Sequence, residues 1–139
     1  MAAINFDQGL NGIVLAKYQQ SLEKPVNKIK LYTAITPAIS KDTLLAHFTE
    51  VGAVMGYVAK TVAGTDFAAV LDVVNHWTIA SATYTWIFTA GAGLTILGWY
   101  ATDAVNTVAI EGEQFTTAVV IPAGGGSLQV NINDKYKDC

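Results

Sequence analysis

Thr83-Tyr84-Thr85-Trp86-Ile87-Phe88-Thr89 decides the fold class. Its three aromatic residues fall on every second position, so Tyr84, Trp86 and Phe88 share one face of an extended chain. Threonine and large aromatics favour strands over helices. The stretch lies within Val73–Thr102, a run without a formally charged side chain. Length and hydropathy alone would suggest a membrane helix there. The period of two, with its threonines, instead predicts a strand with one buried face.

Moving toward the C-terminus, Ala90-Gly91-Ala92-Gly93 reads as a turn, and Leu94 to Ala101 as the returning antiparallel partner. Two further strands are expected at Thr107–Glu111 and Gln114–Ile121. Pro122-Ala123-Gly124-Gly125-Gly126 is the strongest turn signal of the chain. After it, Ser127, Gln129, Asn131 and Asn133 alternate with Leu128, Val130 and Ile132, which gives one wet and one dry face.

Moving toward the N-terminus, Thr65–His76 admits two readings. Asp66 with Phe67, Val70, Leu71 and Val74 fits a short capped helix, while Val73-Val74 favours a strand. Val54–Val62 reads as a strand and Asp42–Phe48 as one helical turn capped by Asp42. From Lys28 the period is two: Ile29, Leu31 and Thr33 face one way, Lys30, Tyr32 and Ala34 the other, until Thr36-Pro37 closes the strand. Before that, Leu10, Val14, Tyr18 and Leu22 recur every four residues, beside Phe6 and Ile13. That spacing predicts a helix over Asn5–Leu22, capped by Asn5 and stopped by Glu23-Lys24-Pro25. The expected architecture is therefore mainly β: an antiparallel, jelly-roll-like β-sandwich over 28–139, preceded by an N-terminal helix or arm over 1–27.

Composition narrows the function classes. The chain has 139 residues, and 14% of them are charged, well below the usual quarter or so of a soluble domain. A chain 52% hydrophobic is not disordered by composition. All eight positive charges are lysines. Without arginine to fork onto phosphates or guanine edges, a nucleic-acid partner is not expected. Residues 1–41 carry a net +3 and residues 42–133 a net −6. That asymmetry suits docking between copies or onto an oppositely charged surface, and ordinary scatter among few charges gives it equally well. Cys139 is the only cysteine, so neither an intrachain disulfide nor a thiolate metal cage is available. The sequence MAAINFDQGLNG lacks a basic region followed by an apolar run, so secretory export is not expected.

Residues that carry chemistry are sparse. Gly91–Gly93 and Gly124–Gly126 lack the residues of a phosphate loop and read as turns. His47 and His76 have no ligand spacing around them and read as surface or satisfied histidines. Glu111 and Glu113, two apart, could bind calcium or perform acid–base work; a solvated hairpin end around Gly112 is the favoured reading. No catalytic residue, metal ligand or cofactor is nominated. Trp77, Trp86 and Trp99 belong to an aromatic-rich second half. Most such residues should be core, and Trp86 and Trp99 are placed to pair across the Ala90–Gly93 turn. The alternative is an exposed platform of these three tryptophans that binds a carbohydrate.

Several stretches together carry a resemblance: Lys30-Leu31-Tyr32-Thr33 with Pro37, Phe48-Thr49-Glu50, and Gly56-Tyr57-Val58-Ala59. Later come Thr85-Trp86-Ile87-Phe88-Thr89, Gly98-Trp99-Tyr100-Ala101-Thr102-Asp103, and the Ile121–Leu128 stretch. From about Lys30 to Asn133 the chain resembles small β-rich virion proteins of tailed bacteriophages, in some cases head decoration or cement proteins. Asp66–Asn75 has no counterpart in that pattern. The resemblance implies a non-enzymatic, oligomeric virion component, made in the host cytoplasm and resident on the phage head. Its expected partners are itself, as a homotrimer, and the major capsid protein, with no nucleic acid and no membrane. In that reading Phe6, Leu10, Val14, Lys17, Tyr18 and Leu22 form the interface of an arm that reaches the shell or a sister subunit. The competing expectation is a tail-fibre or baseplate module that reads a host glycan through the three tryptophans.

Overall fold

The computed structural model describes residues 4–5, 26–63, 65–72 and 77–137; at 4–5, 68–72, 77–80 and 134–137 it describes the backbone alone. The strands are β1 (Ile4–Asn5), β2 (Lys28–Ile35), β3 (Phe48–Glu50), β4 (Lys60–Thr61), β5 (Ala68–Asp72), β6 (Trp77–Phe88), β7 (Leu94–Thr102), β8 (Ala109–Ile121) and β9 (Gly126–Lys137). They form two antiparallel sheets in a sandwich-like arrangement. One runs β1-β8-β7-β2-β3, with β4 also on β2; the other runs β5-β6-β9.

The chain from Trp77 to Lys137 is one long hairpin folded in half. β6 pairs β9 from Trp77↔Lys137 up to Phe88↔Gly126. β7 and β8 resume the pairing at Leu94↔Ile121 and end at Thr102↔Ala109. Between these two ladders both strands cross from one sheet to the other, side by side, and the Gly91 N–H donates to Ala123 O (2.8 Å). Ala90–Gly93 therefore does not close a β6–β7 hairpin, as the sequence suggested, but carries the chain across the core. Folding the ribbon buries the alternating aromatic face of β6 against β7 and β8, which a flat hairpin would leave in water. Glycine is required in the second crossing: Gly125 has φ +91°, and a Cβ there would lie 2.4 Å from Phe88 O.

The core fills the fold. Tyr84, Trp86 and Phe88 of β6 and Leu128, Val130 and Ile132 of β9 meet Ile29, Leu31, Ile96, Trp99 and Ala101 from the larger sheet. Trp99, Ile29 and Leu31 are completely buried, each worth about 1.5–3 kcal/mol or more against exposure. On β6 the intervening Thr83, Thr85 and Ile87 are exposed, as are Gln129, Asn131 and Asn133 on β9. The period-two readings of both strands hold.

Other expectations shift. The strand reading of Thr65–His76 holds over Ala68–Asp72, and residues 73–76 lie outside the described ones. Only Lys60–Thr61 of the expected Val54–Val62 strand is a strand. Ahead of it Met55 and Gly56 take positive φ (53° and 75°), and the Tyr57 N–H bonds Val54 O. The helical turn near Asp42 is a 3-10 turn over Leu45–His47, and Asp42 does not cap it. Instead the Leu44 N–H donates to His47 Nδ1 (3.0 Å), while Asp42 pairs with Lys41 on the surface. The expected strands Thr107–Glu111 and Gln114–Ile121 merge into one, β8 (Ala109–Ile121), because Gly112 and Glu113, where a break was expected, pair in register with Tyr100 and Trp99. Asn5, the expected cap, pairs with Glu111 in β1. The remainder of the expected helix lies outside the described residues. No helix among the described residues is long and apolar enough to cross a membrane.

Candidate functional site

The two glutamates come to lie inside the sheet, not at a solvated hairpin end. Glu111 stands opposite Ala101 and Glu113 opposite Trp99, so both lie on one side of β8. Glu111 is fully buried. Burial pushes the Glu113 carboxyl above its ordinary value. The Trp99 indole N–H is its neighbour without a hydrogen bond of normal geometry.

A second polar group sits on the opposite face of the same sheet. Lys30 Nζ pairs with Glu50 Oε1 at 3.1 Å, and the Tyr57 hydroxyl donates to Glu50 Oε2 at 3.0 Å. The same hydroxyl accepts the Leu31 N–H at 3.1 Å. The arrangement has a structural cause. β4 pairs β2 at Lys28–Ile29 and β3 pairs it from Tyr32 onward, which leaves Leu31 facing a gap between two edge strands. The Val51 N–H fills the gap from one side by donating to Leu31 O (3.0 Å), and the Tyr57 hydroxyl fills it from the other. Next to this group Phe48 stacks on Tyr100 at 4.2 Å, and Tyr32 meets Phe48 edge-on at 5.0 Å. Tyr32 lies over Gly98 and donates to Glu113 O (3.3 Å). Burial and the nearby Glu113 charge push the Tyr32 phenol up to about 12, and burial raises Tyr57 and Tyr100 further. These groups lock strands together.

Trp86 and Trp99 do not offer the exposed rings that a glycan reader would need. Trp86 is 2% exposed and Trp99 fully buried, and they sit in different sheets. Trp86 donates its indole N–H to Val58 O (2.9 Å), with Lys60 Nζ 5.6 Å above the ring. They therefore do not pair across the Ala90–Gly93 turn. The alternation rule that placed Trp86 on a dry face was sufficient to predict its burial. Trp77 has only its backbone described, in the ladder with Lys137. Phe6, Leu10, Val14, Lys17, Tyr18 and Leu22 lie outside the described residues. His47 Nδ1 is used in the 3-10 turn, and His76 is not among the described residues. Among the described residues, no three His, Cys, Asp or Glu side chains are grouped to hold a metal ion.

What remains is a surface rather than a cleft, at the end of the sandwich where the folded hairpin bends. Three segments meet there: 51–59, 87–95 and 118–127. The Thr89 N–H donates to Met55 O and the Gly91 N–H to Ala123 O, both at 2.8 Å. None of the three carries a charged side chain. Val54, Val58, Ile87 and Val120 are exposed on them, the last three by 68–75%. A shallow, open depression of about 340 Å³ is lined by Ala92–Thr95 and Val120–Ala123. Sequence reading missed this site because each segment alone looks like a strand or a turn. The only hint was the absence of charge from all three. Comparisons with protein-family models, with curated proteins and with solved structures found no match.

Proposed function

We propose that this chain is a structural component of a bacteriophage particle: a head decoration protein that clamps neighbouring major capsid subunits and stabilises the shell. The observation that carries the reading is the uncharged, partly apolar surface of segments 51–59, 87–95 and 118–127 on a tightly cross-braced β-sandwich. A protein whose polar groups lock its own strands, and which leaves an uncharged, partly apolar surface in water, is suited to contact rather than to chemistry. The resemblance of the Lys30–Asn133 stretches to small virion proteins supports the same reading. Its mechanism is mechanical: each bound copy buries surface across a capsid junction and raises the barrier to the shell coming apart. The partners are the major capsid protein and further copies of the chain, as a homotrimer. The glycan-reading alternative loses the two tryptophans whose side chains are described, since neither ring is accessible.

Gold-labelled antibody against the chain, applied to intact particles, tests the proposal. The expected label is spread over the head in many copies. Label confined to the tail, or particles that keep their heat resistance once the protein is stripped off, would overturn it.

A further inference from the structure

We infer that the open edge of β9 pairs with β9 of a second copy, antiparallel about a two-fold axis at Val130. This pairing is independent of the capsid reading. β9 (Gly126–Lys137) follows β6 residue for residue without a register shift, and it is the last strand of its sheet. Among the described residues no strand lies on its other side. Every second one of its twelve residues therefore turns an N–H and a C=O outward. Proteins blunt such an edge by shortening it, bulging it or charging it. The other edges of this molecule are blunted. β3 and β4 have three and two residues, and β5 has five and ends on Asp72. β8, which β1 covers only at Glu111 and Gly112, is bulged against β7. From Gly126 to Asn133, β9 has no bulge, no proline and no charged residue.

The side chains of β9 name its occupant. Two identical strands, antiparallel about residue 130, set each residue opposite the one equally far beyond the axis. Ser127 then faces Asn133, Leu128 faces Ile132, Gln129 faces Asn131, and Val130 faces its own copy. Leu128, Val130 and Ile132 are buried in the core, while Ser127, Gln129, Asn131 and Asn133 are exposed. Every pair therefore joins dry to dry or polar to polar, and the facing hydroxyls and amides can each donate and accept. Two three-stranded sheets become one continuous sheet with both cores on the same side. The register is specific. An axis between two residues sets dry positions against wet ones. An axis at Asn131 sets Asp134 opposite the buried Leu128, whereas at Val130 Asp134 meets Gly126, and Lys135 and Lys137 lie beyond the ladder. A strand complementary to itself in this way fits a second copy of the chain. Such an isologous contact closes a pair, so it is additional to a homotrimer and joins one trimer to the next.

Sedimentation velocity of the purified chain over a concentration series tests this, with far-UV circular dichroism to check that each variant keeps its strands. The chain is expected to associate to an even multiple of 14.7 kDa. Gln129→Lys with Asn131→Lys sets like charges opposite each other on both sides of the axis, and should need at least about tenfold more protein to associate. Gln129→Lys with Asn131→Glu sets opposite charges in the same places, and should associate at least as well as the parent. Thr83→Lys with Thr85→Lys adds charge on the same exposed face but one strand inward, and should associate as the parent does. If a variant at 129 and 131 loses its strands, the next pair, Ser127 and Asn133, takes the same substitutions with the same expectations. A chain found only at 14.7 kDa, or only at three times that mass, overturns the inference. Folded Lys–Lys and Lys–Glu variants that associate alike overturn it too, as does a β6 variant weakened as much as the Lys–Lys one. A chain that pairs through β9 but leaves phage heads unlabelled refutes the capsid reading alone. Labelled heads with a chain that does not pair refute this inference alone.

Discussion

Single residues in this protein do two jobs at once, and Tyr57 is the clearest case. Its ring belongs to the core while its hydroxyl accepts the Leu31 N–H and donates to Glu50. Tyr57→Phe keeps the ring and deletes the hydroxyl. It leaves a buried backbone donor without its acceptor and a half-buried carboxylate short of one donor, at a cost of about 1–3 kcal/mol. Urea unfolding should report this as a lower midpoint with an unchanged slope. Gly98 is constrained in the opposite sense, by what it lacks. A Cβ there would sit 2.1 Å from Glu113 O and 2.6 Å from the Tyr32 hydroxyl. Gly98→Ala must displace β8 backbone or expel Tyr32 from its place over the strand. A loss of about 3 kcal/mol or more is expected in the same measurement. Neither role is written in the local sequence, because each depends on a partner on another strand, Leu31 for Tyr57 and Tyr32 and Glu113 for Gly98.

At the scale of elements, the connections carry as much information as the strands. The β7–β8 loop is organised by one carboxylate. Asp103 is 4% exposed and accepts the Thr107 N–H (2.7 Å), the Val108 N–H (3.1 Å) and the Thr107 hydroxyl. Asn106 takes φ +54° within that loop, and its side chain accepts the Thr102 hydroxyl at 3.0 Å. This loop closes the long hairpin, so it sets the register of β7 on β8. Asp103→Ala removes the acceptor of three hydrogen bonds and is expected to cost about 2–4 kcal/mol. Hydrogen exchange should show the amides at the Thr102–Ile110 end losing protection before those of β6 and β9. Strand identity was legible wherever one face is dry: β6 and β9 follow their alternation, whereas β2 is buried on both faces from Ile29 to Tyr32. β8 was read as two strands because Gly112 and the acidic pair resemble a turn. They are held inside the sheet by pairing to β7 and β1, which no local rule reports. The Val54–Val62 reading failed for a related reason. Its β-branched residues fit a strand, but Met55 and Gly56 turn the chain so that Tyr57 can reach the edge of β2.

For the whole molecule, the buried phenols make stability depend on alkaline pH. Burial raises Tyr32 to about 12 and pushes Tyr57, Tyr84 and Tyr100 up further, Tyr84 with help from its hydrogen bond to Asp66. Above the ordinary phenol value of about 10, the unfolded chain loses these protons while the folded chain retains them. The folded state then binds more protons, so its stability falls as pH rises. The contribution is fully present below about pH 10 and is lost as pH climbs through the raised values. Thermal melts between pH 9 and pH 12 or so should show the melting temperature dropping from about pH 10 onward. Tyr57→Phe, with one fewer such group, should show a shallower drop.

The sequence by itself determined that the chain is mainly β, which faces of β6 and β9 are dry, and where the glycine-rich connections fall. These are local consequences of side-chain period and backbone permission, legible within seven or eight residues. Only the tertiary structure decided that the Ala90–Gly93 and Pro122–Gly125 connections fold one hairpin across a core instead of closing two. That choice depends on burying one face of each half of a long ribbon against the other half, a gain that appears only when segments distant along the chain meet. The same folding sent Trp86 and Trp99 inward and brought three uncharged segments together at one end. The candidate surface is therefore a property of the fold, because no segment of it is distinctive until the other two lie beside it.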